Sequence, residues 1–332
     1  MSSAIIHLSL MVETLAMNLN FLDFEQPIAD LLAKIDELRH VVPDHQIDLG
    51  AEITKLEAKA EKLTKHIFAS LTDFQIVKLA RHVQRPHALD YFQRIFTDYQ
   101  ELSGDRHSMC GKAIIGGMAL LEGEPVMLIG QQKGRDTKEN LACNFAMPQP
   151  EEYRKALRLM KLAEKFKLPV FTFIDTPGAY PGIAAEEHNQ SEAIARNIFE
   201  MSKLRTPIIC TLIGEGGSGG ALALGVGDRL LMLEYSIYAT ISPEGCASIL
   251  WRSQDKVELA AEALHLTAPK LLKLKLIDEI IKEPFGGAHR DHEAAAKAVK
   301  EVLIRELAAL KNLPTAELIA ARQNKILNYG RN

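Results

Sequence analysis

From Asp105 onward the chain repeats one pattern: a short run rich in Val, Ile and Phe, closed by Gly, Asp or Ser, with a helical stretch before most of the next runs. The runs cover Val126 to Ile129, Val170 to Ile174, Ile208 to Ile213 and Ile237 to Ile241, and each reads as a strand. The first three begin roughly 40 residues apart, the length of one strand, one helix and a long loop. Between the first two lies Glu151 to Phe166. There Tyr153, Ala156, Leu157, Met160 and Ala163 form one face, and Arg154, Lys155, Arg158, Lys161 and Lys165 the other, as an amphipathic crossover helix requires. Strands joined this way pair mostly in parallel, because a tight turn cannot connect parallel neighbours. The fold class is therefore α/β, and both a stack of repeated turns and a doubly wound sheet satisfy the pattern.

Ahead of this region the period becomes helical. Leu49, Ile53, Leu56, Ala60, Leu63 and Ile67 alternate steps of four and three, and Ile28, Leu31, Leu32, Ile35 and Leu38 form a similar seam. Val41-Val42-Pro43-Asp44 separates the two, which predicts an antiparallel helical hairpin. It either lies flat on its own domain or reaches out as an arm to a partner subunit. A chain of 332 residues has room for a full core and such an appendage.

A net charge of −4 argues against a sequence-independent grip on nucleic acid or on an anionic membrane. Gly, Asp or Arg interrupts every apolar segment before the roughly 20 residues that a bilayer span needs. Residues 1–16 hold a mildly apolar run from Ala4 to Val12 without a basic leader, with His7 and Glu13 in or beside it, so a signal peptide is not expected. Cys110, Cys143, Cys210 and Cys246 form no CxxC pair, and neither a zinc knuckle nor a disulfide framework is read from them. A reducing, cytoplasmic location is expected.

The sharpest chemical feature is Gly214-Glu215-Gly216-Gly217-Ser218-Gly219-Gly220, between a strand and the helix-like Ala221-Leu222-Ala223-Leu224. Glycines let another group approach the main chain closely, and a helix start presents unpaired N–H groups and a positive dipole end. Such a turn suits an anion or a developing oxyanion. It is not a P-loop, since no Lys follows Gly220, and it lies too late in the chain for a dinucleotide fingerprint. Gly216-Gly217-Ser218-Gly219-Gly220 does satisfy GxSxG, so a serine hydrolase is a rival reading, with Asp228, Asp255, His265, Asp278 and His289 available for a triad.

Three further segments adjoin strand ends. Asp175-Thr176-Pro177-Gly178-Ala179-Tyr180-Pro181-Gly182 is a rigid loop where α/β proteins place ligands; Asp175 reads as a turn former, or as a metal ligand without His or Cys company. Ser242-Pro243-Glu244-Gly245 reads as an N-cap, a Pro at N1 and an acidic first turn. Lys133, Arg135 and Lys138 form a cationic loop that pairs with phosphate or carboxylate, or faces solvent.

Together these motifs resemble the alpha-subunit family of bacterial acetyl-coenzyme A carboxylase carboxyltransferases. The likeness runs from Met17 through Asn20-Phe21-Leu22-Asp23-Phe24-Glu25, Gln132-Lys133-Gly134-Arg135, Tyr153-Arg154-Lys155-Ala156-Leu157-Arg158, the Asp175 and Gly214 loops and Ser242-Pro243-Glu244-Gly245 to Gly286-Gly287-Ala288-His289-Arg290. The resemblance implies a crotonase-like spiral of repeated ββα units with an N-terminal helical hairpin. It divides the chain into an extra segment 1–16, a helical region 17–80, a carboxyltransferase domain 81–312 and a helical tail 313–332. It also implies transfer of a carboxyl group from carboxybiotin, on a separate carrier protein, to acetyl-CoA, giving malonyl-CoA for fatty acid synthesis. No metal is expected in this chain. The zinc ribbon belongs to a beta subunit, the partner in an α2β2 assembly that works with biotin carboxyl carrier protein and biotin carboxylase.

By the same resemblance Gly219 and Gly220 form the biotin-side oxyanion hole, with Gly216 and Gly217 shaping the turn. Gly178, Ala179 and Tyr180 wall the cleft, and Ser242, Glu244, Gly245, Lys133 and Arg135 contribute to substrate binding. A non-catalytic docking role is the remaining alternative. Four positions depart from the family pattern: Cys143 for Arg, Ala146 for Gly, and His188-Asn189 for Arg-Gly.

Overall fold

The computed structural model describes residues 20–40, 49–107 and 110–331. The extra segment 1–16 and the break at Val41-Val42-Pro43-Asp44 lie outside them. Among the described residues eight strands form one sheet: β1 (Thr97–Glu101), β2 (Ile114–Leu121), β3 (Glu124–Gln131), β4 (Val170–Thr176), β5 (Ile208–Gly217), β6 (Arg229–Leu233), β7 (Ile237–Ala239) and β8 (Glu279–Ile281). The order is β1-β2-β3-β4-β5-β6-β8, and β7 branches from β5. Pairings of β1 with β2 and β2 with β3 are antiparallel; the rest are parallel.

Alternation along the central strands builds two cores, one on each face, which is why these strands read as unbroken apolar runs. Met127, Ile129, Val170, Ile174, Ile208, Cys210 and Leu212 point to one core. Val126, Leu128, Phe171, Phe173, Ile209 and Ile213 point to the other. The first face is covered by the helices Pro150–Phe166 and Gln190–Lys203, the second by Ala88–Ile95 and His292–Leu310. Lys155 departs from expectation. It is 1% exposed, and its Nζ donates to the Ile114 carbonyl at 2.8 Å, so one residue of the basic face is turned into the body.

The hairpin forms as the spacing requires. Helices Gln26–His40 and Leu49–Phe68 enclose a small core of Ile35, Leu56 and Ala60 with Leu31, Leu32, Leu38 and Ile53. It joins the body through Phe68 against Tyr235, through Arg290 on Glu25 at 2.5 Å, and through Lys78 on Asp23 at 2.6 Å. At the other end of the chain, helix Thr315–Leu327 is held by Arg322, whose guanidinium is buried on Asp228 and on the carbonyls of Met201, Leu204 and Thr206.

Candidate functional site

The parallel strands β3, β4 and β5 end at Gln131, Thr176 and Gly217, and the loops beyond these C-terminal ends make the site. The glycine-rich segment is divided there. Gly214 to Gly217 continue β5 as a strand, because β7 pairs with Glu215, Gly216 and Gly217 while β6 pairs further back with Ile209 to Leu212. One strand thus serves two layers. The short helix Ser218–Leu222 starts immediately afterwards, with Ser218 in the left-handed region at φ 48°.

The glycines have different jobs. A Cβ on Gly217 would lie 2.1 Å from the Pro177 carbonyl oxygen, and one on Gly220 2.6 Å from the Ala179 nitrogen, so the 177–180 loop and the glycine turn meet backbone to backbone. A Cβ on Gly219 would meet only Ile194, at 3.6 Å. Ser218 and Gly219 instead border a cleft of about 840 Å³ whose walls include Ile198, Phe199, Leu222, Tyr238, Leu276 and Tyr329. A short helix start, whose first amides have no partner within the helix, therefore faces a roomy apolar recess.

The 177–180 loop is firmly held. The Thr176 hydroxyl donates to the Ala146 carbonyl at 2.5 Å and accepts the Gly178 amide at 3.0 Å. The Tyr180 amide donates to Pro148, and Gln190 Nε2 donates to the Tyr180 carbonyl at 2.9 Å. Asp175 lies in β4 and is 2% exposed. Its Oδ1 accepts Lys133 Nζ at 2.5 Å and the Glu215 amide at 2.9 Å. Neither a turn nor a metal explains it: Asp175 locks the end of β4 to β3 and β5.

The remaining expected residues are brought near but engaged otherwise. Ser242 caps its helix by accepting the Gly245 amide at 3.0 Å, with Pro243 at N1. Arg81, which the sequence reading passed over, donates to Glu215 at 2.6 Å and to Glu244 at 2.7 Å. Burial alone would raise the Glu244 carboxyl, but Arg81 outweighs it and holds the group below the usual range. Arg135 donates to the carbonyls of Val83 and Arg85 and pairs with Asp90. Lys133 and Arg135 line a smaller polar pocket of about 250 Å³, with His87, Asn140 and Glu215, and not the apolar cleft. Burial pushes His87 down to about 4, so at neutral pH it adds no charge there.

Among the described residues, Glu25, His82 and His289 form a buried group of metal-ligand types. Its donors are largely committed. His82 has Nε2 2.7 Å from the Asn20 carbonyl and accepts the Gln84 amide on Nδ1, and Glu25 carries Arg290. The rival triad does not assemble either. Asp228 accepts the amide of Ile208, the first residue of β5, and carries the buried Arg322 guanidinium, so its carboxylate is already spent. His289 is packed against His82, ring centroids 4.1 Å apart.

The fold defines a class, that of the crotonase-fold carboxyltransferases. The transcarboxylase 12S structure with methylmalonyl-coenzyme A and methylmalonic acid bound is similar, with a TM-score of 0.56 at 17% identity over 71% of this chain and 45% of that one. So is the Pseudomonas malonate decarboxylase MdcD-MdcE hetero-dimer, at 0.57 and 19% over 73% and 98%. Residues 21–330 match the family described as acetyl co-enzyme A carboxylase carboxyltransferase-like. The acetyl-coenzyme A carboxylase carboxyl transferase subunit alpha of Methylococcus capsulatus is 61% identical over 95% of this chain and 98% of that protein. Its counterpart in Coxiella burnetii strain RSA 331 is 62% identical over 95% and 100%. The chain belongs to the acetyl-coenzyme A carboxylase carboxyltransferase alpha-subunit family.

Proposed function

We propose that the chain supplies the biotin-side wall of a carboxyltransferase whose other half is a beta subunit, and that the pair makes malonyl-CoA from acetyl-CoA. The observation that carries this reading is Gly219: the helix start turns a glycine toward an apolar cleft of about 840 Å³, with no side chain between amide and guest. That volume suits a fused ring such as biotin, and its apolar walls would displace water and strengthen hydrogen bonds to a developing anion. Carboxybiotin supplies the activated carboxyl group. The chain's part is to bind and orient it and to stabilise negative charge through the amides of Gly219 and Gly220, with the loop of Gly178, Ala179 and Tyr180 packed against the glycine turn.

No side-chain nucleophile is needed in this scheme. Ser218 then matters for its size and its turn. Lys133 and Arg135 act mainly through Asp175 and the 83–90 loop, and Ser242, Glu244 and Gly245 through their cap and Arg81. Zinc belongs to the beta subunit and biotin to a carrier protein, in a cytoplasmic α2β2 assembly. No helix among the described residues is long and apolar enough to cross a membrane. The test is reconstitution with the beta subunit of a close relative. Biotin-dependent malonyl-CoA decarboxylation should appear in the mixture, and Gly219→Val should remove it.

A further inference from the structure

One buried polar side chain ties the two walls of this site together. Gln131, the last residue of β3, is 0% exposed. Its Nε2 donates to the Gly220 carbonyl at 2.8 Å, and its Oε1 accepts the Asp175 amide at 3.1 Å. The Gly220 carbonyl is open to this bond because the short helix closes irregularly. The Ala223 amide bonds the Gly219 carbonyl in the α pattern, but the next amide, Leu224, turns to Ala221, and Gly225 to Leu222. Gln131 takes the place of the ladder bond that Gly220 gives up.

The consequences are geometric. The Gly220 carbonyl shares a peptide plane with the Ala221 amide, so this bond sets the rotation of the helix start and the aim of its free amides. The Asp175 bond sets the height of the strand end that leads into the 177–180 loop. The two walls touch where a Cβ on Gly220 would lie 2.6 Å from the Ala179 nitrogen, which leaves little slack between them. We propose that Gln131 is a positioning residue for carboxyl transfer: without touching substrate, it fixes the amides of Gly219 and Gly220 against the opposite wall. This rests on the reading of those amides as anion-binding groups.

The test uses the reconstituted complex and the malonyl-CoA decarboxylation assay. Gln131→Met keeps the side chain's length and apolar stem but can neither donate nor accept. It should lower kcat by about 10²-fold, the size expected for a displacement of catalytic groups near 1 Å, with KM for malonyl-CoA nearly unchanged. Gln131→Asn, an amide one carbon short, should fall between Met and wild type, and it decides the matter if the Met variant does not fold. Thr206→Val is the control. It breaks another buried hydrogen bond, Thr206 Oγ1 to the Leu168 carbonyl at 2.7 Å, just ahead of β5 and far from the site, and should lower the melting temperature while sparing kcat. Wild-type kcat in a folded Gln131 variant, or an equal kcat loss in Thr206→Val, would overturn the proposal. Absence of biotin-dependent activity in the wild-type complex would instead overturn the functional reading beneath it.

Discussion

Gly219 and Gly220 are adjacent, yet they tolerate a side chain very differently. A Cβ at Gly219 finds ordinary contact with Ile194 at 3.6 Å, whereas one at Gly220 drives into the backbone of Gly178 and Ala179. Gly219→Val should therefore melt close to wild type while losing about 10² to 10³ in kcat, the usual effect of removing one oxyanion contact. Gly220→Ala should lose both activity and stability, which thermal melts beside the same assay will separate. A second contrast concerns the departures from the family pattern. Ala146 and Asn189, which by the family resemblance replace glycine, both have positive φ, 55° and 63°. Asn tolerates that region and Ala does not, so Ala146→Gly should stabilise by about 1 kcal/mol, read as a raised unfolding midpoint. At this scale the sequence was legible where chemistry is local, as in the Ser242 cap. It offered Lys133 and Arg135 as cations but not their partners, and gave no sign of Gln131, because those partners lie some 40 to 90 positions away in the chain.

The elements formed much as their periodicities indicated, and the misses have separate causes. β5 was expected to end at Ile213 but runs to Gly217, because β7 arrives late in the chain to pair with a stretch that has almost no strand propensity of its own. β1, β6 and β8 are five residues or fewer, and all lie toward the sheet's ends, too short for alternation to identify. The join between the N-terminal hairpin and the body carries its own prediction. Burial, aided by His289 beside it, pushes His82 down to about 4 from an ordinary value near 6.5, and burial does the same to His87. The unfolded chain therefore binds more protons between these limits. Stability from the neutral rings is fully present above pH 6.5 and declines as pH falls toward 4, by up to about 3 kcal/mol for each. Urea midpoints at pH 7.5 and pH 5 should differ in that direction, and His82→Asn should reduce the difference.

Across the whole molecule, the parallel α/β body followed from strand spacing, but the spiral arrangement did not. Spacing constrains which strands are joined by helices, not which layer each enters; the spiral was the expectation of the family resemblance, and the family match and the fold neighbours bear it out. The C-terminal helix could not be placed from its own residues either, since Arg322 looks like one more surface cation until Asp228 is found beneath it. Arg322→Leu would leave Asp228 buried and unpaired, and should destabilise the fold by about 3 to 5 kcal/mol, visible as a large fall in melting temperature. The account as a whole stands on the division of labour between this chain and a partner. Malonyl-CoA decarboxylation should be measured for the chain alone, for the beta subunit alone, and for the mixture with free biotin. The account predicts turnover only in the mixture, dependent on biotin, kept by Ser218→Ala and lost in Gly219→Val. Turnover by the chain alone, or its loss with Ser218→Ala while Gly219→Val stays active, would contradict it.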